Sequence, residues 1–176
     1  MHNEDPSESQ QKTGKWMLII SWICALAILT MFFKNWESKQ SNPNQQVNST
    51  LNEGNIVEVY LTRNKWGHYV FNGEINGTSA EFLVDTGASE VSVPESIAED
   101  LNLIPGAALQ RYTANGMITV YASRIHHLSI GDIHLYDVFA TINPHMNEPQ
   151  VLLGMSALKQ VEFNQRGETL LLRQYR

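Results

Sequence analysis

A chain of 176 residues, 43% hydrophobic and 17% charged, has the length of one globular domain and a composition that excludes a disordered tail or a repeat array. Its net charge of -6 comes from 18 acidic and 12 basic side chains with no basic stripe, which argues against a nucleic-acid partner. The single cysteine, Cys24, leaves no intrachain disulfide to form, so cysteine usage is silent on redox compartment.

Residues 1–15 read as a polar tail. From Trp16 to Phe33, "WMLIISWICALAILTMFF" contains no charge, and as a helix it would span about 27 Å, close to a bilayer's hydrocarbon thickness. Lys15 and Lys34 bracket it, and Trp16, Trp22 and Trp36 lie in or beside it, two of them where an interfacial aromatic belt belongs. Ala25 to Ala27 looks like a signal-peptide cleavage site, but the apolar run continues to Phe33 and ends in Phe-Phe-Lys, which favours an uncleaved single-pass anchor. Lys12 and Lys15 on one side match Lys34 and Lys39 on the other, so charge does not set the orientation. A short tail and a large C-terminal domain favour a signal anchor with the domain periplasmic or otherwise extracytoplasmic.

Residues 34–55 are rich in Asn, Gln and Ser with few bulky apolar side chains, and the expectation is a flexible tether. Beyond Ile56 short apolar or alternating runs such as "IVEVYLT", "AEFLVD" and "EPQVLLG" are punctuated by Gly and Asn, the pattern of an all-β domain over 56–176. Asn76-Gly77 predicts a two-residue hairpin turn, and Arg166-Gly167 a second. Two helical pieces are expected: Pro94 to Leu103, with Ile97, Ala98 and Leu101 on one face, and Gly154 to Val161.

The chemistry gathers at "FLVDTGASEVSVP", where an apolar strand delivers Asp85 to the turn Asp85-Thr86-Gly87. A charge ending a buried strand is costly unless it is hydrogen-bonded, paired or used. Capping a turn is the ordinary use of Asp-x-Gly, and Gly87 lets backbone N–H groups approach the carboxylate.

"FLVDTGAS" resembles the active-site signature of retropepsin-like aspartic proteases, with Ala88 where pepsin-type enzymes more often carry Ser. Further features follow in the family's order. "YTANGMITVYA", Tyr112 to Ala122, resembles its flap hairpin, and "VLLGMSALKQV", Val151 to Val161, its apolar-apolar-Gly motif and following helix. The last strand, "ETLLLRQYR", resembles one that contributes to a dimer interface. With its N-terminal helix the whole chain is similar to bacterial membrane-anchored members.

The resemblance implies a single-lobed acid-protease barrel, a homodimer, and a peptide or protein substrate. It makes Asp85, Thr86 and Gly87 catalytic, and it lays the peptide against Ala88, Asn115, Gly116 and Met117. The chemistry needs two carboxylates sharing one proton, one acting as base on a water while the other polarises the scissile carbonyl. One Asp-Thr-Gly per chain leaves the second carboxylate to the Asp85 of another copy, placed beside the first by a twofold axis. Thr86 would brace the two loops and the Gly87 N–H would orient the carboxylate. No cofactor is expected. Nor is a metal: in alternating strands His126 and His127 face opposite sides, and the domain has neither a cysteine nor a His-x-x-x-His helix. A non-catalytic peptide-binding or dimerisation module with the same fold is the alternative.

Overall fold

The computed structural model describes residues 6–52, 54–113 and 116–175, with side chains from residue 15 onward. The chain divides into two units, Met1–Gln40 and Ser41–Arg176. Helix α1 (Pro6–Ser41) fills the described part of the first, and its stretch from Lys15 is long and apolar enough to cross a membrane by length and composition. Its side chains from Lys15 to Lys39 are exposed.

Among the described residues, the second unit is built from eleven strands and two single-turn helices. In chain order these are β1 (Ser49–Asn52), β2 (Ile56–Thr62), β3 (Val70–Ile75), β4 (Thr78–Val84), β5 (Val91–Pro94), α2 (Glu95–Ala98) and β6 (Ala108–Thr113). β7 (Gly116–Ile130), β8 (Ile133–Asn143), β9 (Gln150–Leu153), α3 (Met155–Leu158), β10 (Glu162–Arg166) and β11 (Thr169–Tyr175) follow. One sheet runs β1-β2-β11-β10, and a seven-stranded sheet runs β3-β4-β9-β5-β8-β7-β6 with β3 also touching β7.

Alternation explains the strands. In β2, Val57, Val59 and Leu61 turn into the core while Tyr60 and Thr62 face out. Phe71 of β3 pairs with Phe82 of β4, their rings stacked at 5.1 Å and wholly buried, each side chain contributing roughly 1.5–3 kcal/mol by leaving water. The β3–β4 turn has Asn76 and Gly77 at φ 51° and 83°, both left-handed, as the two-residue turn of a twisted hairpin requires. The second expected hairpin forms as well, with Gly167 at φ 61° and Arg166 opposite Thr169.

Both helical pieces are shorter than the sequence pattern suggests. After α2 the Leu103 N–H closes back on the Ala98 carbonyl at 2.9 Å and Asn102 turns left-handed, ending the helix while Ala98 and Leu101 stay buried. α3 buries Ser156, Ala157 and Leu158.

One expectation is revised. Residues 34–55 are not a free tether: α1 continues to Ser41, and the segment after it is folded into the domain. Asn44 is 7% exposed, and its amide donates to the carbonyls of Val70 at 2.7 Å and Thr62 at 2.9 Å while accepting the Thr62 N–H at 2.8 Å. β1 then pairs with β2, and Ser49 accepts the Asp132 N–H at 3.0 Å. Asparagine-rich composition reads as solvated chain, yet the same amides satisfy backbone groups at a strand end. β11 lies inside its sheet, paired with β2 along Thr169–Tyr175 and with β10 along Thr169–Arg173, so that only Gln174 and Tyr175 lack a partner strand on the β10 side.

Candidate active site

Asp85 is set by two parallel strands. β4 and β9 run side by side with Val84 opposite Leu153, so Asp85 and Gly154 leave the sheet at the same level. The Asp85 N–H donates to the Leu153 carbonyl at 3.1 Å, carrying the ladder one residue past β4. The chain then turns: the Ala88 N–H donates to the Asp85 carbonyl at 3.2 Å, and the Gly87 N–H donates to Asp85 Oδ1 at 2.9 Å. A half-buried carboxylate is thus held by its own loop, beside the exposed Thr86 and Gly87.

The other side of the loop is built on Gly154. A Cβ there would collide with the Glu90 carbonyl and lie 2.8 Å from the Ala88 carbonyl oxygen, both backbone, so only glycine fits. The next N–H, that of Met155, donates to the Ala88 carbonyl at 2.8 Å. Ser156, buried in α3, accepts the Val91 N–H at 2.9 Å and donates to the Phe139 carbonyl at 2.7 Å. The short helix therefore clamps the entry of β5 and the middle of β8 behind the Asp85 loop.

An open cavity of about 390 Å³ lies against this loop. Asp85, Gly87, Ala88 and Glu90 line one wall, and Arg111, Tyr112, Thr113, Ile118 and Val120 of the β6–β7 hairpin line the other. The hairpin is the flap-like segment of the sequence, with Thr113 opposite Gly116, which has φ 109°, and the Thr113 hydroxyl donating to the Gly116 carbonyl at 2.9 Å. Arg111 forms an ion pair with Glu90 that joins hairpin to loop, the Glu90 side chain 13% exposed.

Among the residues expected at the site, Asp85, Gly87 and Ala88 share the cavity. Thr86 instead lines a smaller one with Tyr69, Val84, Phe163, Gln165 and Leu170. Gly116 and Met117 lie at the hairpin's far end, Met117 59% exposed, and Asn115 lies outside the described residues. Glu90, Arg111 and Ser156 were not singled out from sequence, where a Glu, an Arg and a Ser far apart in the chain carry no mutual signal. His127 and His134 meet each other, ring nitrogens 3.0 Å apart, on paired strands away from this cavity.

The mostly-β architecture and the Asp-Thr-Gly loop under a hairpin define a retropepsin-like fold. The structure matches the crystal structure of a retropepsin-like aspartic protease from Rickettsia conorii, with TM-score 0.54 and 22% identity over 73% of this chain and 94% of that one. Residues 71–160 match the family described as "gag-polyprotein putative aspartyl protease". The chain belongs to that family, the retropepsin-like aspartic proteases. Two uncharacterized bacterial proteins are similar as well. One, from the cobV 5′ region of Sinorhizobium sp., is 33% identical over 120 residues, 66% of this chain and 52% of its own length. The other, from Rickettsia prowazekii, is 26% identical over 127 residues, 68% of this chain and 52% of its own. The chain thus spans about half the length of the curated relatives it matches.

Proposed function

We propose that the chain is a membrane-anchored aspartic endopeptidase, active as a homodimer, whose two symmetry-related Asp85 carboxylates activate a water that attacks the peptide bond. The observation that carries this reading is the placement of Asp85: a half-buried carboxylate, braced by the Gly87 N–H, on the wall of an open groove beneath a hairpin. With a partner's Asp85 beside it, one proton serves two carboxylates, since like charges so close do not both ionise. The carboxylate lacking the proton takes one from the water, and the protonated one donates to the carbonyl oxygen of the scissile bond. The resulting tetrahedral intermediate expels the amine, which takes up the proton and leaves. An extended peptide fits the groove between the Ala88 loop and the β6–β7 hairpin, with Gly116 and Met117 closing from above.

α1 supplies the anchor in this reading, with the domain extracytoplasmic. The test is Asp85→Asn in the full chain, in detergent or membranes. Cleavage of a denatured protein is expected to disappear while oligomeric state and unfolding midpoint stay those of the wild type. Cleavage that survives the substitution overturns the mechanism. Peptide binding without any wild-type cleavage, over a range of pH, would make the chain a peptide-binding module instead.

A further inference from the structure

Resting on the reading of α1 as a membrane anchor, we propose that the loop between β2 and β3, residues 63–69, lies on the same bilayer with Trp66 among the phospholipid headgroups. Three of the chain's four tryptophans belong to α1, and Trp66 is the only one in the second unit. It is 55% exposed, and the Lys65 ammonium stands 4.4 Å from the centre of its ring. Phospholipid interfaces favour this pairing, since the indole takes the apolar boundary and the cation takes phosphate. A single exposed tryptophan is ordinary on a protein surface, and it is the build and the place of this loop that single it out.

Asn64 holds the loop in shape. Its Oδ1 accepts the Trp66 N–H at 3.0 Å and the His68 N–H at 2.9 Å, while its own N–H donates to the His68 carbonyl at 2.7 Å. Gly67, at φ 90°, closes the turn with its N–H on the Asn64 carbonyl at 3.1 Å. One side chain thus fixes the backbone on both sides of Trp66, and Lys65, Trp66 and His68 stay exposed. Arg63 is offset by Glu168 at 3.7 Å, whereas Lys65 has no ion pair among the described residues. The loop therefore presents an aromatic ring and a cation on a backbone that is already ordered.

The same asparagine sets the place of the loop. Asn64 Nδ2 donates to the Ser41 carbonyl at 2.9 Å, and Ser41 is both the last residue of α1 and the first of the second unit. No slack follows it: Asn42 is 2% exposed, its amide donating to Asn72 and Glu81 at 2.9 Å each. From Phe33, where the apolar run ends, the helix rises about 12 Å to Ser41. Headgroups fill roughly 5–8 Å of that rise, and what remains is within reach of a tryptophan side chain. Lys34, Trp36 and Lys39 occupy the same interval on α1, so Lys65 and Trp66 extend an interface already marked by these residue types. Tied to the end of the anchor, the loop meets the bilayer before any soluble partner.

The experiment uses the full chain in phosphatidylcholine vesicles, with Trp16→Phe, Trp22→Phe and Trp36→Phe combined so that Trp66 alone emits. A phosphatidylcholine that carries a nitroxide on its headgroup is expected to quench this emission several-fold more than iodide in the surrounding water does. Should the three substitutions disturb insertion, the same comparison is read from the difference between the wild type and Trp66→Phe. Emission that the headgroup nitroxide leaves unchanged while iodide quenches it overturns the contact. Emission that neither quencher reaches overturns it too, and shows that another protein surface covers the loop. The anchor is tested separately by flotation: a wild type that does not float with the vesicles overturns anchor and contact together, whereas one that floats with Trp66 unquenched overturns the contact alone.

Discussion

Gly154 lies against the Glu90 carbonyl so closely that no side chain fits between them, and this contact welds the β9–α3 corner to the Asp85 loop. The colliding atoms belong to backbone on both sides, so no rotamer change relieves a Cβ. Gly154→Ala is therefore expected to cost about 1–3 kcal/mol of stability, as overpacking in a filled site does. Denaturant titration reads this. If cleavage is present, it should fall further than stability alone explains, because the Ala88 carbonyl that receives the Met155 N–H moves with the loop.

Asn44 and Thr62 make the corresponding contact at the start of the domain, where one amide takes both backbone groups of Thr62 and the carbonyl of Val70. Asn44→Ala leaves these groups without their partner and is expected to cost roughly 1–3 kcal/mol. The same contact predicts where the domain begins. A fragment starting at Ser41 should unfold at a higher temperature than one starting at Ile56, which lacks Asn42, Asn44 and β1. Equal midpoints for the two fragments would show that residues 41–55 add nothing to the domain.

The sequence was most legible where one residue type has one structural use. Asn76-Gly77 marks its hairpin because both residues adopt positive φ readily, and Asp85-Thr86-Gly87 stands out because a carboxylate interrupts an apolar run. Asn42 and Asn44 were illegible for the opposite reason. An asparagine amide serves water or protein equally well, and only the fold brings Asn72 and Glu81 within reach of Asn42 and Thr62 and Val70 within reach of Asn44. The Arg111–Glu90 ion pair joins residues 21 apart on a hairpin and a loop, with no periodicity to reveal it. The place of β11 was hidden as well, because a terminal strand reads the same whether it pairs within its chain or with another.

Arg111 and Glu90 tie the middle of the hairpin to the loop that carries Asp85. The Arg111 side chain is 37% exposed, so Arg111→Gln is expected to cost less than ~1 kcal/mol of stability. Its larger effect should be on the hairpin's freedom. With the tie cut, limited proteolysis between Arg111 and Thr119 is expected to speed up several-fold, and KM for a peptide substrate to rise more than kcat falls. Unchanged nicking together with an unchanged KM would mean that the ion pair does not restrain the hairpin.

Glu58, on β2, gives the domain a pH dependence separate from any catalytic one. The Tyr60 hydroxyl at 2.8 Å, and then the Arg173 guanidinium at 2.6 Å, hold its carboxyl below the usual carboxylate range, against an opposing push from burial. A carboxyl whose folded value is depressed stabilises the fold above its unfolded value, and that contribution is lost as pH falls through the folded one. Tyr60 has the opposite sign: hydrogen bonding to Glu58 raises its hydroxyl, so its contribution is present below the unfolded value and is lost as pH rises through the folded one. The wild type should accordingly hold a stability plateau across neutral pH that falls away on both sides. Glu58→Gln, which removes the charge both partners respond to, should lower the unfolding midpoint at pH 7, and the gap from the wild type should narrow as pH is lowered from 7 through the folded value. Thermal melts of the two proteins across that range check this, and a constant gap between their midpoints would show that the Glu58 charge does not carry this pH dependence.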